Sequence, residues 1–284
     1  MAPVAESFDR STLPNVITIG AMKCGTTALH YYLDQHPDIA MSRKKELNFF
    51  SKDAWERGVA WYEAQFEPDA AIRGESSTSY TFYPRYRGVA ERMHSVVPDA
   101  KLIYLVRDPI DRIVSHYLHD YVNDLEHRGI EEALADRDGD RFMTVSKYFM
   151  QLEQYLAFFP RSSILVLSRE ELLNDRTGTL RQVFDFLGVD SSFYDKRFET
   201  LRYETSDRRR KTRLGAWLAT KMRGVELSDW LKFQVQWLTP YPFARRVKRP
   251  EVSDALRERL KRELQDDANR LRELTGKKFS DWCV

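Results

Sequence analysis

The chain has 284 residues, 42% of them apolar and 31% charged, a balance that buries a sizeable core and excludes a disordered or fibrous polymer. Its formal charge of +2 implies no polyanion partner by itself, so any charge-driven recognition must come from local clusters of the 45 basic residues. Two cysteines, Cys24 and Cys283, form neither a disulfide framework nor a metal-ligand spacing, which favours a reducing compartment.

The first residues, MAPVAESFDRSTLP, lack the basic start and apolar stretch of a signal peptide. No apolar run approaches the length of a bilayer span, so a cytoplasmic protein is expected. Residues 15–19 (NVITI) then read as a short buried strand ending at Gly20. The loop GAMKCGTT (20–27) follows, and TTALHYYLDQHPD predicts a helix that His36-Pro37 ends.

This loop keeps the glycine spacing of the phosphate-binding pattern G-x-x-x-x-G-K-[ST], but Thr26 holds the lysine position and Lys23 lies inside the loop. Strand, glycine loop and helix still form an oxyanion cradle of backbone N–H groups, the Lys23 ammonium and the Thr26 and Thr27 hydroxyls. By itself the loop says phosphate or sulfate.

The same grammar repeats at KLIYLV (101–106), a strand, followed by the turn Arg107-Asp108-Pro109 and a helix over 110–121. Arg107 sits just past a strand end, and Ser115 two turns into the helix. Two readings stand: a second phosphate clasp, or an Arg107–Asp108 or Arg107–Asp111 surface pair. A third strand, ILVL (164–167), precedes the helical segment LRQVFDFLGV. Alternating strands and helices predict an α/β fold, a P-loop-like parallel sheet flanked by helices, in one domain over 1–284. Near the end, Leu256, Leu260, Leu264, Leu271 and Leu274 share one face of a helix capped by Ser253, an amphipathic element docking on the core.

Residues 17–36 and 102–117 resemble the two cofactor loops of the sulfotransferases, which use 3′-phosphoadenosine 5′-phosphosulfate (PAPS) and release 3′-phosphoadenosine 5′-phosphate (PAP). KELNFF (45–50), GVAWYEAQF (58–66), GESSTSYTFYP (74–84) and SKYFMQLEQYLAFFP (146–160) are similar, in that order, to the heparan-sulfate-type enzymes and their bacterial relatives. The resemblance implies that Lys23, Cys24, Gly25, Thr26 and Thr27 hold the 5′-phosphosulfate, and that Arg107 and Ser115 hold the 3′-phosphate. It implies Glu46 as general base, although alone beside Lys44 and Lys45 this residue reads as a surface charge. His119, four residues after Ser115 on the same helical face, becomes a helper; His116 points elsewhere. Lys248 and Arg249, in the basic stretch 244–252, match a loop that closes over the nucleotide.

One departure stands out. That branch carries lysine where this chain has Ser76, so a heparan acceptor is not implied, and Ser76 or Ser79 becomes a candidate acceptor or donor contact. A small-molecule, glycan, lipid or carrier-bound hydroxyl remains open as acceptor, and an amine less so. The run Arg208-Arg209-Arg210-Lys211 reads either as a solvated loop or as a seat for an anionic acceptor, and no nucleic-acid motif accompanies it. No metal is expected, because one sulfuryl group offers no β,γ-phosphate pair to bridge. The alternative is a P-loop kinase or triphosphatase, which needs a lysine after Gly25 and an aspartate at a strand end to hold Mg²⁺.

Overall fold

The computed structural model describes residues 10–135, 140–200, 209–211 and 244–284. Its centre is a five-stranded sheet in the order β2-β3-β1-β4-β5, parallel throughout. The strands are β1 (Val16–Gly20), β2 (Ile39–Met41), β3 (Ile72–Ser76), β4 (Lys101–Val106) and β5 (Ile164–Ser168). Every residue of β1 is buried, and β4 is buried from Leu102 onward. Such unbroken apolar runs belong to strands covered on both faces, as the crossover helices of a parallel sheet require.

Two of these strands go beyond the sequence expectation. β2 is only three residues long, and β3 reads IRGES, with two charges in a central strand. Its side chains find fixed partners instead of water. Arg73 Nε donates to Leu13 O (3.0 Å), and the fully buried Glu75 carboxylate accepts from Tyr62 Oη, Tyr80 Oη and Ser77 Oγ, each at 2.6 Å.

The helices follow the chain as α1 (Thr26–Leu33), α2 (Val59–Glu63), α3 (Val89–Val96), α4 (Pro109–Val122), α5 (Ile130–Ala135), α6 (Asp140–Ser146), α7 (Tyr148–Leu156), α8 (Arg169–Asn174), α9 (Arg176–Leu187) and α10 (Asp254–Thr275). α4 begins as its sequence demands: Pro109 occupies the first turn and the Asp108 carboxylate accepts from Asp111 N (2.8 Å). α10 starts at Ser253, whose Oγ accepts from Leu256 N, and ends at Gly276 in the left-handed conformation. It buries Leu256, Leu260, Leu264, Ala268 and Leu271 against the core, while Leu274 stays half-buried. Two short strands, β6 (Arg209–Lys211) and β7 (Ala244–Arg246), pair antiparallel away from the main sheet. Arg208 lies outside the described residues. Among those residues no helix is long and apolar enough to cross a membrane.

α10 also does something its own pattern does not announce. The Asp267 carboxylate accepts from the backbone N–H groups of Phe149 (2.9 Å) and Met150 (2.8 Å), capping α7 from another part of the chain. Asp267→Ala leaves both donors without partners. It is expected to lower the urea midpoint by the equivalent of about 1–2 kcal/mol with the slope unchanged, and an unaltered midpoint would remove the cap from the account.

Candidate functional site

Because the five strands are parallel, their carboxyl ends share one edge. Chain order reverses about β1, with β2 and β3 to one side and β4 and β5 to the other, and ligands of open α/β sheets bind at such a reversal. The loop after β1 lies there. Gly20 is required, since a Cβ would run into the Thr81 hydroxyl. Ala21 N then donates to Leu105 O (2.7 Å), tying the loop to β4, and Cys24 N donates back to Ala21 O (3.2 Å).

Lys23 (φ 73°) and Gly25 (φ 104°) both take the left-handed conformation, coiling the loop onto the N-terminus of α1. The first N–H groups of a helix have no carbonyl partner within it, and with Lys23 they make this a seat for an anion. Thr26 is buried and Thr27 half-buried. The Cys24 thiol points inward, 3.6 Å from Tyr148 Oη, and burial pushes it up to about 11, so it is a packing group of the cradle and no nucleophile.

Arg107 joins this loop from β4. Its side chain is 7% exposed, and Nη1 reaches Lys23 O (3.4 Å) while Nη2 bonds Asp111 Oδ2 (2.8 Å). The expected alternative, an Arg107–Asp111 pair, is therefore present, but it is no surface pair. Among the described residues, Nε of Arg107 is buried without a hydrogen-bond partner, at a cost of roughly 1–3 kcal/mol. Asp111 also takes Arg249 Nη2 (2.5 Å), which brings the basic stretch 244–252 to the same rim; Lys248 beside it is exposed. Ser115 and His119 lie half-buried on one stripe of α4, the His119 ring against Asn123 one turn on.

His116 belongs elsewhere, as the sequence suggested. Its Nδ1 accepts from Nη2 of the fully buried Arg112 (3.0 Å), and Arg112 also holds Ser146 Oγ (2.6 Å) and Phe142 O (2.9 Å). Burial and the neighbouring Arg112 charge keep this imidazole neutral. The pair fixes α4 to α6 beneath the loop.

Glu46 approaches from the other side. Glu46 N donates to Ser76 O (2.9 Å), so the segment after β2 runs along the end of β3. Glu46 (φ 61°) and Asn48 (φ 56°) are both left-handed without being glycine, a strain that clusters at functional sites. The carboxylate is held three ways: Oε2 accepts from Thr78 N (2.8 Å), Thr78 Oγ1 lies 3.2 Å from both oxygens, and Lys45 Nζ lies 2.5 Å from Oε1. At 36% side-chain exposure it stays reachable. A carboxylate so fixed and still accessible can accept a hydrogen bond from a hydroxyl brought to this edge.

Ser76 and Ser79 turn away from that role. The fully buried Ser76 hydroxyl lies 2.9 Å from His30 Nδ1, and Ser79 Oγ donates to Asn48 Oδ1 and meets Ser51 Oγ, each at 2.5 Å. Both are interior ties that shape the Glu46 segment.

Sequence reasoning missed two residues here. His30 is four residues after Thr26, on the same face of α1, and that spacing was the available signal. Burial, then the Lys45 charge, lower its pKa to about 4. Arg169 follows β5 as Arg107 follows β4, an arginine at the end of an apolar run in both places.

A family model described as Sulfotransferase domain matches residues 13–234. The human heparan sulfate glucosamine 3-O-sulfotransferase 6 is 34% identical over 208 residues, covering 69% of this chain and 58% of its own length. The chain thus spans a little over half of that relative. The Dictyostelium discoideum membrane-associated sulfotransferase kil1 is 40% identical over 107 residues, 37% of this chain and 22% of that protein. Among solved structures, a sulfotransferase from Alicyclobacillus acidocaldarius superposes with a TM-score of 0.67 at 27% identity, covering 95% of this chain and 99% of that one.

His30 gives the site a pH signature. Its folded pKa, about 4, lies below the unfolded value near 6.5, so on acidification the unfolded chain binds the proton first. Its contribution is complete above that unfolded value and is lost as pH falls toward the folded one. Wild type is expected to lose about 1–3 kcal/mol more across that window than His30→Gln does, read from urea midpoints. An imidazole resonance titrating near its ordinary value would overturn this assignment.

Proposed function

The chain belongs to the sulfotransferase family, and from that membership we propose that it transfers a sulfuryl group from PAPS to a hydroxyl, less readily to an amine, of a small-molecule, glycan, lipid or carrier-bound acceptor. The observation that carries the donor half is the Arg107 guanidinium. It is buried, it links the second loop to the Lys23 carbonyl of the first, and it keeps an unpartnered Nε. A nucleotide with two separated phosphates suits these residues: Lys23, Cys24, Gly25, Thr26 and Thr27 for the 5′ end, Arg107 and Ser115 for the 3′ end, and Arg249 with Lys248 over the rim.

When bound, PAPS supplies an activated sulfuryl group. The protein's part is to bring an acceptor oxygen to it and to manage one proton and one developing charge. Glu46 accepts the acceptor proton, with Thr78 and Lys45 fixing the carboxylate so that no rearrangement precedes transfer. Lys23 and the loop N–H groups present positive charge where the leaving phosphate gains negative charge. His119, on the Ser115 stripe of α4, is assigned as helper to Glu46. We place this activity in a cytoplasmic, reducing compartment, a reading supported by a sequence whose two cysteines have no disulfide-framework spacing.

Calorimetric titration with PAP, and with ATP–Mg²⁺ for comparison, tests the donor half. PAP is expected to bind wild type and to lose about 10²-fold affinity in Arg107→Ala; better binding of ATP–Mg²⁺, or no change in the variant, would reopen the kinase reading. For the transfer step, Glu46→Gln is expected to keep PAP binding and to lower acceptor-dependent PAP release by about 10²-fold or more. Equal rates in the two proteins would remove Glu46 as the base.

A further inference from the structure

β4 and β5 pair in parallel register from Leu102↔Ile164 to Val106↔Ser168. Arg107 and Arg169 are the next residue on each strand, and neighbouring strands lie about 4.8 Å apart, so two arginines leave the same sheet edge side by side. The backbone of Arg169 is fixed. It is the first residue of α8, behind a reciprocal cap in which Ser168 Oγ accepts from Glu171 N (3.0 Å) and the Glu171 carboxylate accepts from Ser168 N (2.8 Å). Its stem lies against the phosphate loop: a Cβ built on Gly25 would sit 3.9 Å from Arg169 Cγ.

The charges around this side chain do not balance locally. Burial comes first and the Arg107 charge second among the influences that disfavour its protonated form; Glu170, Cys24 and Asp111 act the other way. Yet Asp111 is already taken by Arg107 and Arg249, and the Asp108 carboxylate accepts from Asp111 N (2.8 Å) and Cys283 N (2.6 Å). Among the described residues, Glu170 Oε2 is buried without a hydrogen-bond partner. Among the described residues no carboxylate forms an ion pair with Arg169. Two neighbouring guanidinium groups, one with an orphan Nε and one unpaired, repel each other unless an anion lies on both.

We infer that Arg169 is the second guanidinium of the 3′-phosphate site, binding that group together with Arg107. The inference rests on the donor reading above. The 3′-phosphate is favoured over the 5′ end because Arg169 leaves the sheet edge in register with Arg107, the residue assigned to that phosphate. A phosphomonoester dianion then takes charge-assisted hydrogen bonds from two planar donors, and the repulsion between them becomes attraction to a shared ligand.

The test compares PAP with adenosine 5′-phosphate, which lacks only the 3′-phosphate, by calorimetry on wild type, Arg107→Ala, Arg169→Ala and Arg169→Lys. Arg169→Ala is expected to weaken PAP about 10- to 100-fold and adenosine 5′-phosphate by less than about twofold, with the lysine variant in between. PAP affinity unchanged in Arg169→Ala, or both ligands weakened by one factor, overturns the inference. If Arg169→Ala does not fold, judged by circular dichroism, Arg169→Lys and Arg169→Gln carry the same ratio test. Wild type that does not prefer PAP would instead sink the donor reading. A preference lost in Arg107→Ala but kept in Arg169→Ala would leave that reading intact and remove Arg169 alone.

Discussion

Five strands that all run one way finish at one edge, and the rest of the site depends on that constraint. The loop after β1, Arg107 after β4, Arg169 after β5 and the Ser77–Thr78 turn after β3 come from distant parts of the chain, yet sheet register delivers them together. Ala21 N on Leu105 O and Glu46 N on Ser76 O then fasten the flanking loops to neighbouring strand ends. A parallel sheet needs long crossovers, and the helices that make them also supply the N-terminal N–H groups of α1 and the Ser115 stripe of α4.

Charge is arranged around this edge in two zones. Outside, Asp111 is shared by Arg107 and Arg249, so one carboxylate steadies two cations without neutralising them both. Beneath, Arg112 is fully buried, its Nη1 unpartnered, and its other donors are spent on neutral groups. A cation in that position is expensive to desolvate, and it leaves the floor of the loop electropositive. The excess sign is right for a ligand that brings several negative charges.

Much of this was legible in the sequence, and the parts that were not share a physical cause. β1, β4 and β5 are apolar runs closed by turn residues, and the starts of α4 and α10 are marked by Pro109 and Ser253. β3 hid because two charges interrupt its apolar pattern, and tertiary partners satisfy them: main-chain carbonyls for Arg73, and three hydroxyls for Glu75. The roles of Ser76, Ser79 and Asp267 are long-range hydrogen bonds, which no local pattern encodes. Glu46 is the opposite case. Composition alone made it a surface charge, the KELNFF resemblance singled it out, and the fold shows the hold that Thr78 and Lys45 have on it. Arg169 was readable by analogy with Arg107, but only once both strands were seen as neighbours.

Lys23, Glu46 and Asn48 all occupy backbone conformations that glycine adopts freely and other residues adopt at a penalty of roughly 1 kcal/mol each. At these positions the side chain and the backbone therefore want different amino acids. At Glu46 and Asn48 the side chains offset that penalty with their own hydrogen bonds, from Thr78 and Lys45 to the carboxylate and from Ser79 to the Asn48 amide oxygen. On the roles proposed for Lys23 and Glu46, the backbone strain at those two positions is the cost of placing a charged side chain at the sheet edge.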